Sequence, residues 1–266
     1  MIARNTVHCL DCFDLLAQCD DQSVDMILTD APYNVHEAKW ENAIDLDRLW
    51  TGFKRVIKPR GAIVMTAQQP FTTDLIVSNR PWFKYSWVWV KSMAGDVFNA
   101  KNKPTRQHED VLVFSEGTTA NGSDKRMPYY PQGLVRYNRI ENQNPAMQHS
   151  GGIIKQRASW KDERFQEFTN YPTSVLNFPN GNINSKHPNA KPLALFEYLI
   201  ATYTTEGQTV LDCFAGSFTT AVAARNLRRN WICGDSDPGY CDVGRQRLAE
   251  PPMFAELPPT QTAFLD

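Results

Sequence analysis

The chain has 266 residues, 42% of them apolar, with 28 Lys and Arg against 29 Asp and Glu. That length suits one large α/β domain, or one domain carrying an insertion, and no apolar run approaches the ~20 residues of a membrane span. The opening MIARNTVHCLD lacks the apolar core of a secretion signal, so a cytoplasmic protein is expected.

Residues 6–11 alternate as a strand. Cys9 and Cys12 have a spacing used by redox and zinc sites, yet no second CxxC and no paired histidines supply further ligands, so they read as structural and no metal is expected. Residues 24–30 form an apolar run suited to a strand buried on both faces. It ends abruptly in Asp30-Ala31-Pro32-Tyr33, which taken alone is ordinary turn chemistry. Leu46, Leu49, Trp50, Phe53, Val56 and Ile57 recur at helical spacing, with Pro59 and Gly61 read as the helix stop. Strands are expected at 62–67, 85–90, 111–115, 209–214 and 231–235, and helices at 71–78, 193–203, 219–227 and 240–248. Such alternation implies a doubly wound, mostly parallel sheet covered by helices on both faces, a Rossmann-like α/β fold.

The pattern breaks at residues 116–185, rich in Gly, Asn, Gln and Pro, with Tyr129, Tyr130, Tyr137 and Trp160 among them. A long irregular segment inside a compact domain is usually functional or disordered. From Lys84 to Lys161 there are 12 Lys and Arg against 6 Asp and Glu, so +6, which leaves −7 for the rest of a chain whose total is −1. Basic residues interleaved with aromatics and amides suit phosphate and base-edge contacts, although a solvated insertion explains the charge equally well.

A second motif, TVLDCFAGSFTTAVAARNL, runs strand, small-residue loop, helix. Asp212 closes the strand, Gly216 and Ser217 allow a tight turn, and the helix start is a natural seat for an anion. Asp235 ends the next strand, where nucleotide-binding α/β folds place an acid for ribose hydroxyls. The loop has neither GxGxxG nor a basic residue for a pyrophosphate, which disfavours NAD and ATP. A nucleoside carrying an amino acid would need no phosphate site. By itself the loop reads more readily as a plain strand–helix turn.

Together, Asp30-Ala31-Pro32-Tyr33 and Asp212-Cys213-Phe214-Ala215-Gly216 resemble the amino-methyltransferases of DNA, with their Asp/Asn/Ser-Pro-Pro-Tyr/Phe tetrapeptide and FxGxG cofactor loop. His187-Pro188-Asn189-Ala190-Lys191-Pro192 is similar to the family's HPTQKP segment, and the order of motifs is that of the permuted β class. The resemblance spans about residues 5–249. It implies S-adenosylmethionine as cofactor, held by Asp11 and Cys12 at the adenine ring, His187 and Lys191 at the methionine end, the loop from Asp212 through Phe214, Ala215, Gly216 and Ser217, and Asp235 at the ribose. It further implies double-stranded DNA as partner, DNA methylation of the restriction–modification kind, and recognition by 116–185 as a region inserted in a single domain of 1–266. Dimers are common in the family, though no residue here fixes one. Two positions depart from the pattern: Ala31 replaces the first proline and Phe218 the second loop glycine. The start of a helix at Thr219 favours packing of Phe218 in the core, with glycine's backbone freedom expected to worsen a Phe218→Gly change.

An exocyclic amine on adenine is a poor nucleophile because its lone pair is delocalised. Asp30 and the Ala31 carbonyl would accept its two N–H bonds, Pro32 would fix the turn, and Tyr33 would stack on a base flipped from the duplex. The expected activity is site-specific adenine-N6 methylation. Cytosine-N4 methylation is the alternative, less favoured because that group more often carries Ser first. A silent methyltransferase-fold DNA-binding module is the other, motivated by Phe218 and Ala31.

Overall fold

The computed structural model describes residues 2–32, 44–142, 163–180 and 191–252. The chain divides into one unit of Met1–Tyr130 with Thr173–Asp266 and a second of Pro131–Pro172. In chain order come β1 (Val7–Cys9), α1 (Cys12–Gln18), β2 (Val24–Thr29), α2 (Leu46–Val56), β3 (Ile57–Ala67), α3 (Phe71–Ser78), β4 (Phe83–Gly95) and β5 (Arg106–Phe114). There follow β6 (Val135–Asn142), β7 (Glu163–Thr169), β8 (Val175–Asn177), α4 (Leu193–Tyr203), β9 (Thr209–Asp212), α5 (Thr219–Asn226), β10 (Asn230–Asp235) and α6 (Pro238–Ala249).

The sheet of the larger unit has the order β1-β10-β9-β2-β3-β5-β4-β8, and only β5 runs against its neighbours. Alternation along β2 and β3 sends Met26, Leu28 and Val64 to one face, where they pack with Leu195, Leu199, Ile200, Ala221 and Ala224 of α4 and α5. Ile27, Ile63 and Met65 go to the other, against Leu15, Leu49, Phe53 and Leu75 of α1, α2 and α3. Both faces of the central strands are therefore covered, as their continuous apolar runs require. This is the expected doubly wound α/β architecture. No helix among the described residues is long and apolar enough to cross a membrane.

Three local expectations change. α2 ends at Val56 and β3 begins at once, so Pro59 and Gly61 lie inside a strand. Between the pairs Val24↔Ile57 and Met26↔Ala62 the longer side bulges, and proline and glycine suit a bulge as well as a helix stop. A Cβ on Gly61 would come 2.8 Å from the Asp25 carbonyl oxygen, so this close approach needs glycine. Helix α1, not expected from periodicity, is opened by Asp11, whose carboxylate accepts from the Phe13 amide at 2.8 Å. Within 116–185, three strands replace the expected irregularity. β6 and β7 form an antiparallel ribbon in the smaller unit, and β8 pairs with β4 at the sheet edge.

Phe218 is fully buried in the α4–α5 core. Its backbone is left-handed, φ 59°, so the residue keeps a conformation that glycine adopts freely while adding a ring. The ring fills the space above Gly244 of α6, where a Cβ would come within 2.4 Å of Phe218 Cδ2. Glycine's freedom thus relieves strain here and does not worsen the substitution. Losing the ring costs about 3–5 kcal/mol and releasing the left-handed backbone returns about 1–2 kcal/mol. Phe218→Gly should therefore lower stability by about 1–4 kcal/mol. Gly244→Ala should destabilise the parent but be better tolerated beside Phe218→Gly. Melting curves of the two single variants and the double variant measure this coupling, and strict additivity would contradict the packing described.

Candidate functional site

Four strands deliver the expected site residues to one edge of the sheet. β1 and β10 are in register at Cys9↔Asp235, β10 and β9 at Cys233↔Asp212, and β2 lies beside β9 at Ile27↔Leu211. Asp11, Asp235, the loop after Asp212 and Asp30 thus all follow carboxyl ends of parallel strands. Between β9 and β2 the strand order reverses, because β2 leads to β3 on one side and β9 to β10 on the other. Ligands of open α/β sheets bind at such a reversal.

Asp212 is buried beneath this point. Its Oδ1 accepts from Thr29 Oγ1 at 2.7 Å and from the Phe214 amide at 3.1 Å, and its Oδ2 from Thr220 Oγ1 at 2.5 Å. Burial pushes its carboxyl up to about 6, against the pull of the Thr220 and Thr29 hydroxyls and the Phe214 amide. Its visible work is to tie β2, the loop and α5 together. Cys213 and Ala215 are buried, while Phe214 packs partly against the α1–α3 core. Gly216 turns the loop with φ 48°, and its amide donates to Asp235 Oδ2 at 2.8 Å. Arg247 of α6 donates to the Ser217 carbonyl at 2.5 Å and to Thr219 Oγ1 at 3.1 Å, so the loop is held from outside as well.

Asp235 also accepts from the Asp237 amide through Oδ1 at 2.9 Å. Each carboxylate oxygen keeps a further lone pair at the sheet edge, suited to ribose hydroxyls. Asp11 caps α1, and Cys12, the first residue of that helix, is buried with its thiol pushed up to about 12 chiefly by burial, with Asp11 adding to the rise. An acid, a small-residue loop and no phosphate-binding cation among the loop's own residues fit a nucleoside bearing an amino acid. All six cysteines are unpaired as disulfides, and no cluster of metal-binding side chains occurs among the described residues.

Asp30 sits just past β2. Thr66 donates to its Oδ1, and Lys191 Nζ lies 3.0 Å from its Oδ2. Lys191 also reaches Glu109 Oε2 at 2.9 Å, so it bridges the Asp30 and Glu109 carboxylates, where the resemblance implies a contact to the methionine end of the cofactor. Glu109 in turn pairs with Lys91 and accepts from Gln68 Nε2 at 2.8 Å. Ala31 is buried in the α1–α3 core and Pro32 is half-buried. Tyr33 and His187 lie outside the described residues.

Glu109, Lys91 and Thr66 were not singled out by motif reasoning. A signal for Glu109 existed: it shares the strand parity of Val111 and Val113, which point inward, so an acid there enters the interior and needs a cation. Burial alone would raise its carboxyl, but Lys191 and Lys91 outweigh that and hold it at about 2.

The family described as DNA methylase, of the N6/N4 type, matches residues 24–246. A type II methyltransferase of Moraxella bovis, M1.MboII, is 26% identical over 90% of this chain and 95% of its own length. The DNA adenine methyltransferase YhdJ of Escherichia coli is 26% identical over 92% of this chain and 83% of its own. Among solved structures, the cytosine-N4-specific PvuII DNA methyltransferase superposes with a TM-score of 0.62 at 15% identity, covering 93% of this chain and 87% of that one. The M1.HpyAVI–SAM complex does so with 0.58 at 21% identity, covering 92% and 99%. At these identities the structural likeness establishes the fold.

The ion network gives a pH signature. Glu109 is held at about 2 in the folded chain against an ordinary 4.5. Its contribution is therefore fully present above pH 4.5 and drains away as pH falls toward 2. Glu109→Gln should cost about 3 kcal/mol of stability near neutral pH. The gap from the parent should narrow in urea titrations taken progressively below pH 4.5. A gap independent of pH would remove Glu109 from the charged network.

Proposed function

The chain belongs to the N6/N4 DNA methylase family, and from that premise we propose that it transfers a methyl group from S-adenosylmethionine to the N6 amine of a specific adenine in double-stranded DNA. The observation that carries this reading is the placement of Asp30 at the strand-order reversal, one strand away from the loop that follows Asp212. An aspartate in the first position of the tetrapeptide favours adenine, and the relative named as an adenine methyltransferase agrees in direction.

When bound, S-adenosylmethionine supplies an electrophilic sulfonium methyl group. Asp235 would hold the ribose, with Gly216 and Ser217 lining the approach and Asp11 and Cys12 beside the adenine ring. Asp30 would accept one N–H of the target amine and the Ala31 carbonyl the other. Two acceptors favour a tetrahedral nitrogen with its lone pair aimed away from the ring, and they stabilise the positive charge that develops as the N–C bond forms. Lys191 and Thr66 would hold Asp30 in place. Lys191 shares its charge between Asp30 and Glu109, so it is not committed to Asp30 alone. Pro32 would stiffen the turn, Tyr33 would stack on the extruded base, and His187 would complete the methionine end.

Residues 116–185 would carry sequence recognition. Their ribbon of β6 and β7 bears Arg136 and Arg139 and an exposed cross-strand pair, Ile140↔Phe165, which suits a nucleic-acid surface better than a solvated insertion.

Asp30→Ala should abolish transfer in single-turnover assays while calorimetric affinity for S-adenosylmethionine stays within about threefold, since Asp30 meets the target amine. Asp235→Ala should do the opposite in part. It loses ribose bonds worth about 1.5–3 kcal/mol each and frees the Gly216 amide, so affinity should fall at least about tenfold. Substantial residual transfer in the first variant, or unchanged affinity in the second, would contradict the assignment of that residue.

A further inference from the structure

The hairpin joining β4 to β5 emerges at the same sheet edge as Asp30. β4 runs in the sense of β2 and β3, so its carboxyl end at Gly95 lies at the carboxyl edge. The rung Trp89↔Glu109 at its base is part of the network leading through Lys191 to Asp30, and Lys91 sits 5.1 Å from the Trp89 ring centroid. From that rung to Gly95 the strand advances up to roughly 20 Å.

The tip is built by its own hydrogen bonds. Asp96 takes a left-handed backbone, φ 61°, and its carboxylate accepts from Asn99 Nδ2 at 2.7 Å and pairs with Lys103 at 2.5 Å. The amides of Asn99, Asn102 and Lys103 close the 3-10 turn over Val97–Asn99. What this turn presents to solvent is apolar: Phe98 is 98% exposed and Val97 more than half, and Met93 near the end of β4 is more than half exposed too. A single exposed hydrophobic residue needs no explanation, but a bonded turn displaying Val97 and Phe98, with exposed Met93 near the end of the strand leading to it, is an apolar patch. Residues 96–106 add Lys101, Lys103 and Arg106 against the one acid Asp96, a net +2 that complements phosphates and opposes association with a basic surface.

We infer that Phe98 is a wedge that enters the base stack of duplex DNA and fills the space left by the extruded target base, with Lys101 and Arg106 contacting the flanking phosphates. The inference rests on the methyltransferase reading above. Apolar side chains on a cationic element insert between base steps in proteins that deform DNA, and an enzyme acting on a flipped base must compensate lost stacking. A planar ring held out by a preformed turn suits both.

The test uses the full chain and two DNAs carrying the site mapped by sequencing methylated host DNA, one fully paired and one with the target adenine mispaired. Phe98 touches nothing that folding requires, so Phe98→Ala should melt like the parent. It should slow single-turnover methylation of the paired DNA by about tenfold or more, yet change the rate on the mispaired DNA by less than about threefold, because that base is already destabilised. Fluorescence of 2-aminopurine at the target position should rise less with the variant than with the parent. Equal loss on both DNAs, or loss on neither, overturns the wedge. Sedimentation showing that Phe98→Ala breaks a dimer, with equal loss on both DNAs, assigns the tip to a contact between copies and overturns it too. A parent that methylates neither DNA contradicts the methyltransferase reading itself, and the wedge falls with it.

Discussion

The carboxylate of Asp212 is fully buried and held by neutral donors, the Thr29 and Thr220 hydroxyls and the Phe214 amide, and this arrangement fixes the carboxyl edge of the sheet. The ladder between β2 and β9 has only two register pairs, Met26↔Val210 and Ile27↔Leu211. Side-chain bonds clamp both of its ends. Asp25 accepts from the Thr209 amide at 2.9 Å at one end, and Thr29 reaches Asp212 at the other. Since Asp30 directly follows β2 and the loop of residues 213–218 directly follows β9, the clamp fixes how those two segments are spaced, and under the proposed assignment it would set the separation between a target amine and a methyl donor. Rates of group transfer are sensitive to such placement.

Two carboxylates at this edge have opposite surroundings. Asp212 is enclosed among hydroxyls and an amide, and burial pushes it up to about 6. Asp30 is partly exposed, beside the ammonium of Lys191 and the Thr66 hydroxyl. Such a pair divides structural from chemical work by environment alone. Glu109 belongs to the second group: it draws Lys191 away from full commitment to Asp30, and Lys91 balances it in turn. A chain of alternating charges is stable in the interior because each ion has a partner, and removing Glu109 leaves Lys91 without its paired acid.

Much of this was legible in the sequence, where periodicity and composition act locally. Helices α3 and α4 begin and end where their apolar spacing says, and the order of strands and helices implies the doubly wound sheet. The less legible parts involve non-local geometry. Pro59 and Gly61 serve a bulge against Asp25, a role visible only once β2 lies beside β3. Phe218 replaces an expected glycine without changing the backbone, because Gly244 of a later helix leaves room for the ring. The role of Lys191 depends on Glu109, 82 residues earlier in the chain. No motif links them, and the one local sign was the inward parity of an acid in an apolar strand.

The central claim is that an aspartate at the reversal of strand order accepts hydrogen bonds from an adenine amine during methyl transfer. Nucleoside mass spectrometry of DNA from a host lacking its own methylases, expressing this protein, tests it most directly. The account predicts N6-methyladenine at one short sequence, lost when Asp30 is replaced by Asn. N4-methylcytosine in its place, or N6-methyladenine that persists without the Asp30 carboxylate, would contradict it.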